Sequence, residues 1–362
     1  MAEIEFVDVT RVQRGMWRPV LDRVALRVRD GELLVLTGAS GSGKSALLRA
    51  LAGVDPLNSG RVLIDGKDVT KLASDKRGVS MLAQGFALFP QLSVRDNIAF
   101  PLTMRKTSAK AVSARVAAIA ERCGVAEHLS ARPDALNFDL RQRAMMARAL
   151  VNEPLVVCVD EPLAGSGVPM MMRRRTPIAT LQREFGVTML YATCSSTDAL
   201  AIADRIAVLE RGAVQQVGTA TEVFERPATV EVAGFVGEVP MNLVPAVHRD
   251  GFARIGDLAV KVGAVQAEAL TGDRVLVGLR AEDLRLGGES EAGGLRAVAV
   301  LIRDAGREYL VHARTQGPDG PVDLVVRQSR GAPPMRGENL LITANPAAAH
   351  LFDAETGRRL PD

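Results

Sequence analysis

Leu33-Leu34-Val35-Leu36-Thr37-Gly38-Ala39-Ser40-Gly41-Ser42-Gly43-Lys44-Ser45 is the segment from which the rest of the reading follows. Its four leading apolar residues read as a strand buried on both faces. A helix-like pattern opens at Ser45 and continues to Ala52. The loop between them matches G-x-x-x-x-G-K-[ST]. Glycines let the backbone wrap so closely that successive N–H groups point at phosphate oxygens. A lysine in the place of Lys44 reaches the β and γ phosphates, and the Ser45 hydroxyl suits Mg²⁺. The helix N-terminus adds its dipole. Gly38, Ala39, Ser40, Gly41, Ser42, Gly43, Lys44, Ser45 and Ala46 are therefore the candidate nucleotide-binding residues, with ATP and Mg²⁺ as the implied cofactors.

Strand, loop and helix make half of a parallel α/β unit, and the flanking sequence repeats the scheme. Ile4–Val9 and Val24–Val28 read as half-buried strands. Val156–Val159 is a second buried strand that ends in Asp160-Glu161. Set beside a phosphate loop, this pair gives Asp160 to Mg²⁺ and Glu161 to the attacking water. Further strands are expected at Val187–Tyr191, Ile206–Leu209 and Ala213–Val217, and helices at Ala109–Cys123, Leu140–Leu150 and Ile178–Phe185. Near Pro240 the character changes. Glycine becomes frequent, and short strands such as Val275–Leu279, Ala297–Leu301 and Leu324–Val326 recur between turns, with Gly287–Gly294 read as a loop. The fold class is an α/β P-loop nucleotide-binding domain over residues 1–240, with a helical part at about 86–150. A small all-β, OB-like barrel is expected over 241–362.

Composition narrows the function. The 362 residues are 47% hydrophobic and 24% charged, which excludes a disordered chain. Lys+Arg 45 against Asp+Glu 42 leaves +3, no basic stripe of the kind that marks nucleic-acid binding. The aromatic residues Phe252, Tyr309 and Phe352 stand isolated and form no stacking platform, so no nucleic-acid partner is expected. Three cysteines, Cys123, Cys158 and Cys194, lack metal-ligand spacing and suit a reducing compartment. No apolar run approaches the roughly 18 residues of a bilayer span, and the start MAEIEF lacks a signal pattern.

The motifs together resemble the ATP-binding subunit of an ABC transporter, specifically the sugar-importer (maltose or glycerol-phosphate) type with a C-terminal regulatory β domain. The resemblance rests on the phosphate loop, Met81-Leu82-Ala83-Gln84 with Ala87-Leu88-Phe89-Pro90, and Arg141-Gln142-Arg143 with Ala147-Arg148-Ala149-Leu150. It rests further on Asp160-Glu161-Pro162-Leu163, Ala203-Asp204-Arg205-Ile206-Ala207-Val208 and Gln215-Gln216-Val217-Gly218-Thr219. In the tail it rests on Val277-Gly278-Leu279-Arg280-Ala281-Glu282-Asp283-Leu284 and His350-Leu351-Phe352-Asp353-Ala354-Glu355-Thr356-Gly357. It implies a motor subunit at the cytoplasmic face of the membrane, held there peripherally. It would work as a dimer with a second ATP-binding subunit and drive integral-membrane permease subunits, served indirectly by an extracytoplasmic solute-binding protein. It also implies that Gln84 senses the γ phosphate and Mg²⁺, and that Gln84–Pro90 touches the permease.

Several positions depart from that family. Its L-S-G-G-Q signature, which caps the γ phosphate of the opposite subunit, falls on Leu136-Asn137-Phe138-Asp139-Leu140. Phe138 adds bulk. Asp139 turns a carboxylate towards a polyanion, a repulsion of about 1–4 kcal/mol at about 4 Å. The bland reading of Asp139 is a helix N-cap for 140–150. The aspartate of S-x-L-D is missing at Gly167. Cys194 stands where the switch histidine belongs and donates only weakly; its bland reading is a small half-buried residue at a strand end. The adenine-stacking aromatic is replaced by Gln13. Trp17, four residues on, either takes the base or is an ordinary packing residue.

Because each family ATP lies between two subunits, neither a homodimer nor pairing with an intact partner restores a complete site. Two readings follow: an importer motor with weak hydrolysis, or a nucleotide-binding pseudo-ATPase that scaffolds or regulates.

Overall fold

Burial of Ile4 and Phe6, and of Val9 beyond a break in the register, makes β1 (Ile4–Arg11) a one-faced strand. It pairs antiparallel with β2 (Leu21–Val28). Strand β3 (Leu33–Thr37) is buried at every residue, as its unbroken apolar run requires. The phosphate loop then leads into α1 (Lys44–Ala52). Strands β4 (Ser59–Ile64) and β5 (Lys67–Asp68) complete an antiparallel sheet of order β2-β1-β4-β5. The computed structural model describes residues 2–13, 15, 17–83, 88–161, 177–287 and 294–361.

After β6 (Val79–Leu82), three helices form the expected helical part: α2 (Val94–Met104), α3 (Ala109–Arg122) and α4 (Phe138–Leu150). Serine hydroxyls start two of them. Ser93 accepts from the Asp96 N–H and Ser108 from the Ala111 N–H. The chain then alternates β7 (Val156–Asp160), α5 (Pro177–Phe185), β8 (Thr188–Thr193), α6 (Ser196–Ile202), β9 (Arg205–Glu210) and β10 (Ala213–Gly218). The second sheet has order β10-β9-β3-β8-β7-β6. All its pairings are parallel except β10 with β9. Helix α1 is buried on nearly all sides, with Leu47, Leu48 and Leu51 against residues of both sheets. A helix so enclosed holds the phosphate loop at a fixed place.

The chain divides into compact units at Met1–Ala220 and Thr221–Asp362, whereas the sequence changes character only near Pro240. Helices α7 (Ala220–Glu225) and α8 (Val230–Phe235) precede the strands of the second unit and are tied to them by Arg280. This arginine is 3% exposed. Its guanidinium donates to the Val236 carbonyl at 2.6 Å and the Phe224 carbonyl at 2.7 Å. It also lies 4.1 Å from the centre of the Phe224 ring.

The strands of this unit are β11 (Asn242–Arg249), β12 (Phe252–Ile255) and β13 (Leu258–Lys261), then, after the short helix α9 (Ala264–Glu268), β14 (Arg274–Leu279) and β15 (Leu284–Gly287). They continue as β16 (Leu295–Asp304), β17 (Glu308–Gly317), β18 (Gly320–Ser329), β19 (Asn339–Ala344) and β20 (His350–Asp353). Two five-stranded antiparallel sheets, β13-β12-β11-β14-β20 and β15-β19-β16-β17-β18, share one apolar core in an all-β, OB-like domain. Asn242 joins them. Its side-chain amide donates to the Leu279 and Val325 carbonyls at 3.1 and 3.0 Å, and its oxygen accepts from the Val325 N–H at 2.7 Å. Most of the expected 287–294 loop lies outside the described residues.

Candidate functional site

The phosphate loop joins β3 to α1 and is shaped by close backbone contacts. Gly38 has φ +144°, and a side chain there would meet the Leu209 carbonyl oxygen at 2.1 Å. Gly43 has φ +108°, and a side chain there would meet the Val20 carbonyl oxygen at 2.8 Å. Only glycine fits either position. Gly212 backs the loop by donating its N–H to the Ser42 carbonyl at 3.0 Å. Sequence reasoning missed Val20 and Gly212. The one available signal was the turn at Gly212, and nothing in the chain order connects it to residue 42.

Lys44 opens α1 with its ammonium 4% exposed. The ammonium donates to the Gly38 and Ala39 carbonyls at 2.8 and 2.9 Å, with Ser42 Oγ at 3.5 Å. It is thus coiled inside the loop. Ser45 donates its hydroxyl to Asp160 Oδ1 at 2.8 Å. Burial pushes the Asp160 carboxyl up from its ordinary value, against the Ser45 hydrogen bond that pulls it down. A buried carboxylate paired with a hydroxyl is a hard oxygen donor set short of positive charge, and it fits Mg²⁺. The buried Lys44 cation fits a phosphate in the same way.

Glu161 follows β7 with φ +42°. This left-handed conformation costs a non-glycine residue about 1–2 kcal/mol. Its N–H donates to the Ala192 carbonyl at 3.0 Å, which turns the carboxylate towards the loop. Glu161 Oε1 lies 4.0 Å from the Lys44 ammonium. The parallel register of β7 and β8, Asp160 opposite Ala192, brings Cys194 to the same place. Its thiol donates to Glu161 Oε1 at 2.6 Å. Cys194 is exposed rather than half-buried, which corrects its bland reading: the residue stands at the reacting end of the site.

Burial and the hydrogen bond to Glu161 push the Cys194 thiol up from its ordinary range. Cys123 and Cys158 are fully buried, and burial pushes the Cys123 thiol up to about 12. Iodoacetamide should therefore label Cys194 first in the native protein, because the thiolate is the nucleophile and must be reachable. The rate should rise with pH to a midpoint above the ordinary thiol range, and Glu161→Gln should lower that midpoint. Peptide mass spectrometry across pH checks this. Equal labelling of Cys123 would contradict it.

The segment 136–140 lies at the start of α4. Asn137, not Asp139, is the N-cap: its side-chain oxygen accepts from the Leu140 N–H at 2.9 Å. Asp139 sits inside the first turn and pairs with Arg143, one turn on, at 2.6 Å. The helix begins at Phe138, earlier than expected, because the asparagine two residues before Asp139 already caps it by accepting from the Leu140 N–H. Phe138 is half-buried. Asn137→Ala should cost about 1 kcal/mol of stability. Asp139→Ala should cost no more than about 0.5 kcal/mol. Urea unfolding distinguishes them, and equal losses would count against the capping assignment.

Gln13 is exposed just after β1. Trp17 is 84% exposed with the Arg18 guanidinium 4.3 Å from its ring centre, so it is not the packing residue of its second reading. Gln84 and Gly167 lie outside the described residues, as does residue 162 onwards to 176. Among the described residues no helix is long and apolar enough to cross a membrane.

Known proteins resemble the chain along its length. Residues 21–164 match the family model described as ABC transporter, and residues 277–352 match the TOBE domain. The diacetylchitobiose uptake system ATP-binding protein MsiK of Streptomyces coelicolor is 36% identical, with 100% of each chain covered. The trehalose/maltose import ATP-binding protein MalK of Thermococcus litoralis is 35% identical, covering 99% of this chain and 100% of the relative. The sn-glycerol-3-phosphate import ATP-binding protein UgpC of Cereibacter sphaeroides is 37% identical with the same coverage. Among solved structures, a dimeric post-hydrolysis state of an ATP-binding cassette with ADP and Pi aligns with a TM-score of 0.50 at 24% identity. It covers 60% of this chain and 98% of that one.

Proposed function

The chain belongs to the ABC transporter family, among the importer ATP-binding proteins that carry a TOBE domain, and on that premise we propose that it binds Mg-ATP and turns it over slowly. It would be the nucleotide-binding subunit for uptake of a sugar or related polar solute. In this reading Lys44 and the loop N–H groups hold the phosphates, and Ser45 and Asp160 hold the metal. Bound Mg-ATP supplies the polyanion and the Lewis acid. Gln84 is proposed beside them from the family pattern. The subunit would dimerise with a second ATP-binding chain, sit peripherally on the cytoplasmic face of the membrane, and drive permease subunits.

One observation carries the slow turnover: the Cys194 thiol donates to Glu161 Oε1 at 2.6 Å. Glu161 is the group that would accept a proton from the attacking water. A donor already on that oxygen weakens it as a base, and a thiol offers no imidazole-like donor to the phosphate. A second reading, a regulatory subunit without turnover, draws on α4. Asn137 already occupies the Leu140 N–H at its start, and Asp139 makes that start acidic.

Purified protein should bind Mg-ATP while releasing phosphate at or near background. Equilibrium binding and phosphate release measured on the same sample test this. Fast release that Glu161→Gln abolishes would overturn the slow-turnover reading, and absence of ATP binding would overturn the nucleotide-binding one.

A further inference from the structure

On a face that contributes nothing to the phosphate site, α3, the turn after α4 and the turn between α5 and β8 enclose a cavity of about 350 Å³. Its lining is mostly apolar and includes Ile119, Leu155 and Phe185. The Arg122 guanidinium lies 3.8 Å from the centre of the Phe185 ring. Arg115 stands two turns earlier on the same face of α3. Both arginines are exposed. Neither has a carboxylate within 4.0 Å among the described residues. Glu153 is the one acid at the rim. The rim is thus net cationic over a mostly apolar lining.

We propose that this cavity is a binding site for a small carboxylate with an apolar body. The volume lies at the lower end of the range for ligand sites. The alkyl body lies on Ile119 and Leu155, beside the Phe185 ring that the Arg122 guanidinium covers. The carboxylate meets Arg122, whose planar donors suit it, and Arg115 two turns away adds positive charge. A neutral alkyl chain gains no charge pairing here, and an alkylamine meets two cations. The site is independent of the nucleotide reading, because none of its residues belongs to the phosphate loop or to Asp160, Glu161 and Cys194.

The test is calorimetric titration of the full chain with decanoate well below its micellar concentration, with decanol and decylamine in parallel. Decanoate should bind saturably at one site per chain, and decanol and decylamine should not. Arg115→Gln with Arg122→Gln should weaken decanoate at least about tenfold. Leu155→Trp should abolish binding by filling the cavity, and Lys44→Ala should leave it unchanged. No saturable decanoate binding, equal binding of decylamine, or indifference to the arginine pair would each overturn the proposal.

Discussion

Lys44→Ala is expected to lower the affinity for Mg-ATP by two to three orders of magnitude while leaving the fold intact. The ammonium is nearly free of water and fixed between the Gly38 and Ala39 carbonyls, so part of its desolvation is already met in the free protein. On binding it exchanges neutral carbonyl acceptors for phosphate oxygens. Each charge-assisted hydrogen bond is worth about 1.5–3 kcal/mol. Two of them, lost together, amount to about 3–6 kcal/mol; the carbonyl hydrogen bonds that Lys44 gives up on binding offset the upper part, and about 3–4 kcal/mol at 1.4 kcal/mol per tenfold is two to three orders. The substitution leaves two carbonyls without a donor, but Ser42, Gly43 and Gly212 still brace the loop. Equilibrium binding of a fluorescent ATP analogue, with nucleotide-free melting as the control for folding, checks both halves. A loss of less than tenfold at an unchanged melting temperature would remove Lys44 from the phosphate site.

The other large effect is a gain. Restoring the family residues at both ends of the proposed defect should raise phosphate release by about a hundredfold or more. The variant combines Cys194→His with Asn137→Ser, Phe138→Gly, Asp139→Gly and Leu140→Gln. Removing the Asp139 charge relieves about 1–4 kcal/mol of repulsion at a phosphate about 4 Å away. Serine at 137 preserves the helix cap. The two glycines cost about 1 kcal/mol each in helix propensity, so α4 is expected to survive with a lower melting temperature. Cys194→His alone should raise release by less than tenfold, since the acidic helix start remains. Steady-state phosphate release decides the matter, with Glu161→Gln on the restored background returning it to baseline. If the fivefold variant stays at background, the altered positions are not what limits turnover.

The nucleotide-binding half was readable because its signals are local. Four apolar residues, a glycine loop of fixed spacing and a helix follow one another without a break, and β3 and α1 lie where the pattern put them. The start of α4 was misread although its signal was equally local: an asparagine three residues before the Leu140 N–H caps as well as an aspartate does, and two capping types stood close together. The Cys194–Glu161 contact was unreadable for a different reason. The two residues meet only because β7 and β8 pair in parallel, and the register is not written at either position. Strands such as β4, whose first half is Ser59-Gly60-Arg61, and β5, with two charged residues, offer no apolar alternation to find. They exist by pairing with β1 and with each other. Trp17 failed as a packing residue because a single aromatic in a polar stretch carries no periodicity to say which way it faces.

Arg280 has a consequence for anyone who would excise the C-terminal unit. A fragment begun where the strands begin, near residue 240, loses the carbonyls of Phe224 and Val236 and the ring beneath the guanidinium. It would expose the socket and strand a cation with fewer acceptors than it was folded around. The severable piece starts upstream of α7, and its two leading helices are its lid rather than a tether.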